Sequence, residues 1–183
     1  MVFAIRRTLL VTLGILILLG STVLATGTAG AATTSPARAQ AHSAAALRWP
    51  TVQFGDKGNR VFAIQYLLRA WGYAIGPSGV FGAVTRHDVA HFQRVRGIRG
   101  TGAVGSLTWP RLIMQVSFGN RGNAVAGVQQ NLHFGYGYTY LPVTGFFGSI
   151  TRRAVRSFQA RYHIGVDGIV GPVTWNTIIR FEK

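Results

Sequence analysis

The fold of this chain is most readily predicted from the stretch GFFGSITRRAVRSFQARYHIGVDGIVGPVTW, residues 145–175. It begins within one copy of a short glycine turn, VTGFFGSIT (143–151), and ends just after a second copy, VDGIVGPVT (166–174), with a helix-like segment between them. The same turn occurs twice more upstream, as PSGVFGAVT (77–85) and GTGAVGSLT (100–108). Each copy has a small polar residue, Gly, a variable residue, Phe or Val, Gly, a variable residue, an aliphatic residue and Thr. Glycine allows the positive φ and the close backbone approach that such turns require.

These four turns belong to an internal duplication. Residues 54–68 and 118–132 are identical at seven of fifteen positions, at an offset of 64. After a two-residue insertion, residues 79–113 and 145–179 are identical at fifteen of thirty-five positions. The chain therefore contains one module twice, and each module carries two of the turns.

Each module is predicted to contain three helices. In the first module Val61, Ile64 and Leu68 form one apolar stripe at helical spacing. The second helix carries Val89, Phe92 and Val95, and a short third helix carries Leu107, Leu112 and Ile113. Strand-like alternation is absent from both modules. The predicted fold class is all-α, with two tandem three-helix bundles joined by glycine-rich turns.

The N-terminal residues have a different composition from the modules. Arg6 and Arg7 precede an apolar run and then small residues, which is typical of a secretory signal peptide cleaved near Ala31 or Ala32. We therefore predict a signal peptide at 1–32, a flexible linker at 33–48, and modules at 49–115 and 116–183. A secreted protein would meet the membrane only transiently, through its signal peptide. An uncleaved membrane anchor is the alternative.

The repeated motifs resemble those of the peptidoglycan-binding domain found at the ends of bacterial wall hydrolases. The resemblance covers nearly all of 50–181, twice, and rests on stretches such as FGDKGNRVFAIQYLL, SGVFGAVTRHDVAHFQ and DGIVGPVTW. It implies a three-helix fold, noncovalent binding to peptidoglycan and association with the cell wall. Family members usually accompany a catalytic domain, and we expect none beside these two modules.

The family often has Asp-Gly at the start of its glycine turns, and this chain keeps it only at Asp167. Ser78, Thr101 and Thr144 stand at the equivalent positions. Their hydroxyls can still accept a local backbone hydrogen bond, as Asp does. All four residues are candidate ligand-binding positions, and Asp167 is the first among them. The glycines and the helix N-termini that follow them have a mainly architectural role, with exposed amides as a second, ligand-binding possibility.

No residue pattern indicates catalysis, a cofactor or a metal. There is no cysteine, and the acids include no evident pair for glycan hydrolysis. His87 and His91 stand four residues apart, as in zinc proteases, but the duplicate has Arg153 and Ser157 there. We expect a noncatalytic wall-binding protein. The alternative is a targeting subunit or minimal form of a wall hydrolase.

Aromatic residues suggest two further roles. Trp109 and Trp175 occupy equivalent positions and are expected to fill the cores of their modules. The unmatched segment HFGYGYTYLP (133–142) contains Tyr136, Tyr138 and Tyr140 among glycines. Tyrosine has a flat apolar face and a hydroxyl, which suit recognition of sugar or peptide. Either this segment binds a ligand or it folds on its own aromatic rings.

The charge balance predicts an anionic partner. Beyond Arg38 the chain has sixteen Lys and Arg against four acids, a net charge of +12. Arg152, Arg153 and Arg156 lie along one helix without acidic neighbours and form a candidate binding face. The expected partners are peptidoglycan and anionic wall polymers. Nucleic acid is disfavoured by the predicted secretion, whereas a protein partner for a packed pair of modules stays open.

Overall fold

The structure is a computed structural model and describes residues 47–181, which all belong to one compact unit. The predicted signal peptide at 1–32 and nearly all of the predicted linker at 33–48 lie outside the described residues. The helices of the first module are α1 (Asn59–Ala70), α2 (Ala83–Val95) and α3 (Trp109–Leu112). Those of the second are α4 (Asn123–Gln130), continued by a π-helical turn (Asn131–Gly135), α5 (Ser149–Arg161) and α6 (Pro172–Arg180).

This architecture confirms the predicted all-α class with three helices per module. The stripe of Val61, Ile64 and Leu68 is fully buried on α1. Within residues 47–181 no strand forms, and the only β-type pairing consists of isolated bridges. In the part of the chain that the structure describes, no helix is long and apolar enough to cross a membrane.

The isolated bridges hold each glycine turn against the segment that precedes the module's first helix. Val52 pairs with Val104 in the first module, and Val116 pairs with Val170 in the second. Two further bridges join Lys57 to Val80 and Arg121 to Phe146. Both turns of a module are thus tied to its N-terminal edge, so they keep a fixed position relative to the helices.

The cores are closed by the two equivalent tryptophans, as predicted. Trp109 and Trp175 are both 0% exposed. Their indole N–H groups donate to Pro50 O and Met114 O, each at 2.8 Å. The prediction that Leu107 belongs to the apolar stripe of the third helix was wrong. Helix α3 begins only at Trp109, and Leu107 precedes it with 66% of its surface exposed.

The two modules pack on each other through α1 and α4. Gly127 on α4 faces Tyr66 on α1, and Gly135 beyond α4 faces Asn59 at the start of α1, so the helices run antiparallel. A Cβ on Gly127 would lie 2.9 Å from the Cβ of Tyr66, which is closer than side chains tolerate. The lack of a side chain at this position therefore sets the separation of the two helices.

Polar contacts reinforce the pairing of the modules. Arg60 on α1 donates from Nε to Ile179 O at 2.7 Å, at the end of α6. Asn176 on α6 donates from Nδ2 to Arg48 O at 3.0 Å. Both bonds join residues more than 100 positions apart in sequence, and the second ends on Arg48, just before the predicted start of the first module.

Candidate functional site: four fastened turns and three open grooves

A buried glutamine fastens each glycine turn to the helix before it. In the last turn Gln159 is 0% exposed, and its Oε1 accepts from Gly168 N at 2.8 Å. Its Nε2 donates to Asp167 Oδ1 at 2.7 Å, to Ile169 O at 2.9 Å and to Thr174 Oγ1 at 3.1 Å. One amide thereby satisfies the backbone at the centre of the turn and both polar side chains at its ends.

The same arrangement occurs in the other three turns. Gln65, Gln93 and Gln129 are each about 1–2% exposed. Their Oε1 atoms accept from Gly79 N, Gly102 N and Gly145 N at 2.8–2.9 Å. Their Nε2 atoms donate to the Ser or Thr that opens the turn, to a backbone carbonyl within it, and to the Thr that closes it.

No role was predicted for these four glutamines. A signal was present, because Gln65 matches Gln129 and Gln93 matches Gln159 in the duplication. The first pair stands fourteen or sixteen residues before the first glycine of its turn, whereas the second pair stands nine before. The fourfold pairing of a glutamine with a Gly-x-x-Gly-x-x-Thr turn is the pattern that would have revealed them.

The first polar residue of each turn caps the turn, as predicted. Asp167 Oδ1 accepts from Ile169 N at 2.8 Å. The hydroxyls of Ser78, Thr101 and Thr144 accept from the amide two residues on at 3.2–3.3 Å. The carboxylate bond is the shortest of the four, as expected for a charged acceptor. These four candidate ligand positions are therefore also part of the turns' internal hydrogen bonding.

Three of the turns border open grooves at equivalent positions. The groove of the last turn holds about 220 Å³ and runs from Ile164 past Asp167 to Val173. Its counterpart in the first module holds about 390 Å³ and runs from Ile98 past Thr101 to Leu107. A third groove, also about 390 Å³, borders the first turn of the first module, and its lining includes Ile75, Ser78, Val80, Gly82 and Val84.

In the first turn of the second module an aromatic ring occupies the corresponding position. Phe146 stands where the other turns have Val80, Ala103 and Ile169. A ring carbon of Phe146 lies 3.3 Å from the position of a Cβ on Gly148. The Arg121 guanidinium lies over the Phe146 ring, 3.9 Å from its centroid, and holds it in place.

Each open groove has an aliphatic side chain and a helix N-terminus at its rim. Val84 and Leu107 are 63% and 66% exposed, while Val173 is half-buried. The helices α2 and α6 begin after Gly82 and Gly171, and neither glycine supplies a side-chain cap. The first amides of these two helices are thus left without the side-chain acceptor that usually satisfies them.

The tyrosine segment divides into packed and exposed residues. Tyr138 is 8% exposed, and the ring of the half-buried Tyr136 packs edge-on against Phe158. The Tyr136 hydroxyl donates to Ile178 O. Only Tyr140 presents its ring to solvent, at 52% exposed. Partial desolvation raises the pKa of the Tyr140 hydroxyl above its ordinary value, and Tyr138 raises it further, whereas Arg153 lowers it.

The candidate arginines are exposed beside the last turn. A Cβ on Gly168 would lie 3.2 Å from the Cγ atoms of Arg152 and Arg156, so their stems cover this glycine. The Arg152 guanidinium lies 4.9 Å from the ring centroid of Phe118, and Arg86 has the same contact with Phe54 in the first module. Arg153 is exposed on the same helix.

The two histidines of α2 make separate contacts. His87 Nδ1 lies 3.2 Å from Asp88 Oδ1, whereas His91 Nδ1 pairs with the Tyr73 hydroxyl at 2.9 Å. Burial, with a smaller effect of Asp88, raises the pKa of Tyr73. Among residues 47–181 no group of three or more His, Cys, Asp or Glu side chains comes together as a metal site would require.

Two curated proteins with the names of hydrolases are similar to parts of this chain. A curated "Probable N-acetylmuramoyl-L-alanine amidase" of Bacillus licheniformis is 31% identical over 66% of this chain and 42% of its own length. A "Zinc D-Ala-D-Ala carboxypeptidase" of Streptomyces albus G is 36% identical over 43% of this chain and 30% of its own length.

A solved peptidoglycan-binding protein from Clostridioides difficile, in complex with glutamine hydroxamate, is 38% identical over 37% of this chain and 42% of that chain, with a TM-score of 0.35. The chain thus spans less than half the length of each of these relatives. The profile described as "Putative peptidoglycan binding domain" matches residues 57–112 and 121–178, which together are more than half of the sequence. The chain therefore belongs to the peptidoglycan binding domain family, with two tandem copies of the domain.

Proposed function

We propose that this chain is a noncatalytic, secreted wall-binding protein that holds peptidoglycan in the grooves beside its glycine turns. Family membership supports binding to the cell wall. The observation that carries the proposal is that equivalent grooves stay open in both modules, at residues 164–174 and 98–108. Each is built on a turn whose polar groups are already satisfied, so the groove exists before a ligand arrives.

We further propose that the grooves bind the peptide stems of peptidoglycan rather than its glycan strands. The three grooves are lined mainly by Gly, Ser, Thr and aliphatic residues, with Asp167 in one and Arg99 in another, and none of their lining residues is aromatic. Saccharide sites commonly use the flat face of an aromatic ring. Small apolar side chains and uncapped helix N-termini instead suit a peptide with short side chains and a carboxylate or carbonyl group.

The fixed pairing of the modules supports bivalent binding. When two weak sites lie on one rigid unit, the second contact forms at high effective concentration, provided that both sites can reach the polymer. The bonds of Arg60 and Asn176 across the interface keep the two grooves in one geometry. We expect the pair to bind insoluble wall more tightly than either groove binds a soluble fragment.

The test replaces the exposed aliphatic residues at the groove rims. Leu107→Gln together with Val173→Gln should weaken binding to purified sacculi by about tenfold, with an unchanged melting temperature. Val95→Gln is the matched control, because Val95 is equally exposed on α2 but lines none of the three grooves. Equal binding of all three proteins would refute the groove assignment.

Competition and zymography address the remaining parts of the proposal. Soluble stem peptides should displace the protein from sacculi, whereas peptide-free glycan chains should not. The alternative, a minimal or targeting form of a wall hydrolase, has support from the amidase and carboxypeptidase relatives. A cleared band over wall substrate would favour it. Export predicts that protein recovered from the culture medium begins near residue 33.

A further inference from the structure

The outer face of α5 carries a row of arginines that the fold does not neutralise. Arg152, Arg153, Arg156 and Arg161 are all exposed, and α5 itself contains no acidic residue. None of the four forms an ion pair with a carboxylate among residues 47–181. Like charges three or four positions apart destabilise a helix by about 0.2–0.5 kcal/mol per pair. The folded chain therefore tolerates a repulsion that only an external anion would relieve.

The duplicate module shows that the fold does not need this row. Helix α2 has the same length as α5 and the same buried Phe and Gln, and Arg86 matches Arg152. At the positions of Arg153, Arg156 and Arg161, however, α2 has His87, Ala90 and Val95. These three arginines have no counterpart at the matching positions of the first module, where α2 instead has Arg94 in place of Ala160, and all three lie on the exposed side of α5.

The position of the row links it to the groove of the last turn. The stems of Arg152 and Arg156 cover Gly168, whose neighbour Asp167 lines that groove. From Arg153 to Arg161 the helix rises about 12 Å, at about 1.5 Å per residue. A row of this length contacts successive charges of a chain molecule rather than one small anion. It begins where the proposed peptidoglycan ligand would lie.

We propose that the α5 arginine row binds a phosphodiester polymer attached to the wall, next to the peptidoglycan held in the groove. Guanidinium groups match phosphate oxygens in a bidentate geometry, and a polymer of phosphodiesters supplies the repeated negative charge that the row lacks. The buried side of α5 packs into the module through Val155 and Phe158. The exposed side carries the arginines and one partly exposed aliphatic residue, Ile150, rather than the broad apolar face that membrane-surface helices insert into lipid. This inference rests on the proposed peptidoglycan binding, which would bring the row to the wall.

The experiment compares two variants of equal net charge in the full chain. The first carries Arg153→Gln, Arg156→Gln and Arg161→Gln. The control carries Arg69→Gln, Arg94→Gln and Arg111→Gln, which are exposed arginines of the first module. Binding is measured to intact sacculi of a phosphodiester-rich wall, to the same sacculi after hydrofluoric acid has removed their phosphodiesters, and to soluble poly(glycerol phosphate).

The α5 variant should lose tenfold or more in affinity for intact sacculi and for the polymer, and the control less than threefold. On stripped sacculi the two variants should bind like the unmodified chain. The slope of log K against log salt should fall by about 0.7 for each lost phosphate contact, if the polymer behaves as single-stranded nucleic acids do.

Three results would overturn the inference. One is an equal loss in both variants, since net charge alone would then explain binding. Another is a loss by the α5 variant on stripped sacculi, which would place the arginines on peptidoglycan itself. The third is that anionic phospholipid vesicles bind the chain more tightly than the polymer does. Failure of the unmodified chain to bind stripped sacculi would instead refute the proposed peptidoglycan binding.

Discussion

Replacement of Gln159 by leucine tests whether a buried amide holds the glycine turn. Leucine has a similar volume but removes the four hydrogen bonds of the glutamine, to Gly168, Asp167, Ile169 and Thr174. The buried Gly168 N–H loses the acceptor that Gln159 provides, and an unsatisfied buried donor costs about 1–3 kcal/mol. Ile169 O is less affected, because the Thr174 hydroxyl still donates to it at 3.1 Å.

The remaining bonds add to this loss. The bond to the Asp167 carboxylate is charged and the others are neutral, and such bonds contribute about 1.5–3 and 0.5–1.5 kcal/mol respectively. Part of the carboxylate bond is recovered from water, because Asp167 is exposed. We therefore expect Gln159→Leu to lower the free energy of unfolding by about 3–4 kcal/mol. For a unit of this size that corresponds to a fall in melting temperature on the order of 10 °C.

Urea denaturation followed by far-UV circular dichroism measures the effect. Gln53→Leu is the control, because Gln53 is exposed and its side chain makes none of these bonds. Thr174→Val in the Gln159→Leu background should cost less than Thr174→Val alone, since the two side chains share one network. A loss below about 1 kcal/mol for Gln159→Leu, or strict additivity with Thr174→Val, would refute the reasoning.

Four further substitutions test the turns, the interface and the position of Phe146. Gly168→Ala should lower the free energy of unfolding by about 1–2 kcal/mol, because the φ of Gly168 is +77°. The new methyl group would also press against the stems of Arg152 and Arg156, which should increase the loss. Gly137→Ala, at φ +76° in open space, should cost the strain alone, and equal urea midpoints would contradict this. Gly127→Ala should lower the melting temperature measured by calorimetry, because Tyr66 leaves no room for the new methyl group. This loss should exceed the gain of about 1 kcal/mol that alanine gives over glycine in a helix. A higher melting temperature would contradict the role of Gly127 in setting the separation of α1 and α4. Phe146→Ala should open a fourth groove beside the first turn of the second module. Adding stem peptide to this variant should then move the NMR signals of residues 141–151, which the peptide should leave unmoved in the unmodified chain. If the peptide moves none of these signals in the variant, the ring does not close a site.

The duplication made much of the fold predictable. Helices require only local periodicity, so the buried stripe from Val61 to Leu68 could be recognised from spacing alone. The fourfold Gly-x-x-Gly turn located the joints, and the matched tryptophans located the cores. Leu107 was assigned wrongly, because α3 is too short to include it and periodicity does not show where so short a helix begins.

The candidate site was less predictable, because it depends on which side chains meet across the turns. The three tyrosines of residues 136–140 look alike in sequence. In the structure the π-helical turn directs Tyr136 towards Phe158 and α6, buries Tyr138 and leaves Tyr140 exposed. The arginines of α5 were identified in sequence as a charged face, and their exposure agrees with that prediction. Whether they bind an anionic polymer stays a prediction.

Repeats and local spacing were enough to predict the duplication, the all-α class, the four glycine turns and the family. The contacts that hold the turns and join the modules could be seen only in the folded chain. The glutamines form hydrogen bonds with residues up to twenty-two positions away in sequence, as Gln129 does with Thr151. These bonds form only when the helix and the turn pack together and bury the amide. The module interface depends on the space that Gly127 leaves for Tyr66. Such contacts are set by packing between segments that are remote in sequence, and neither composition nor periodicity reports them.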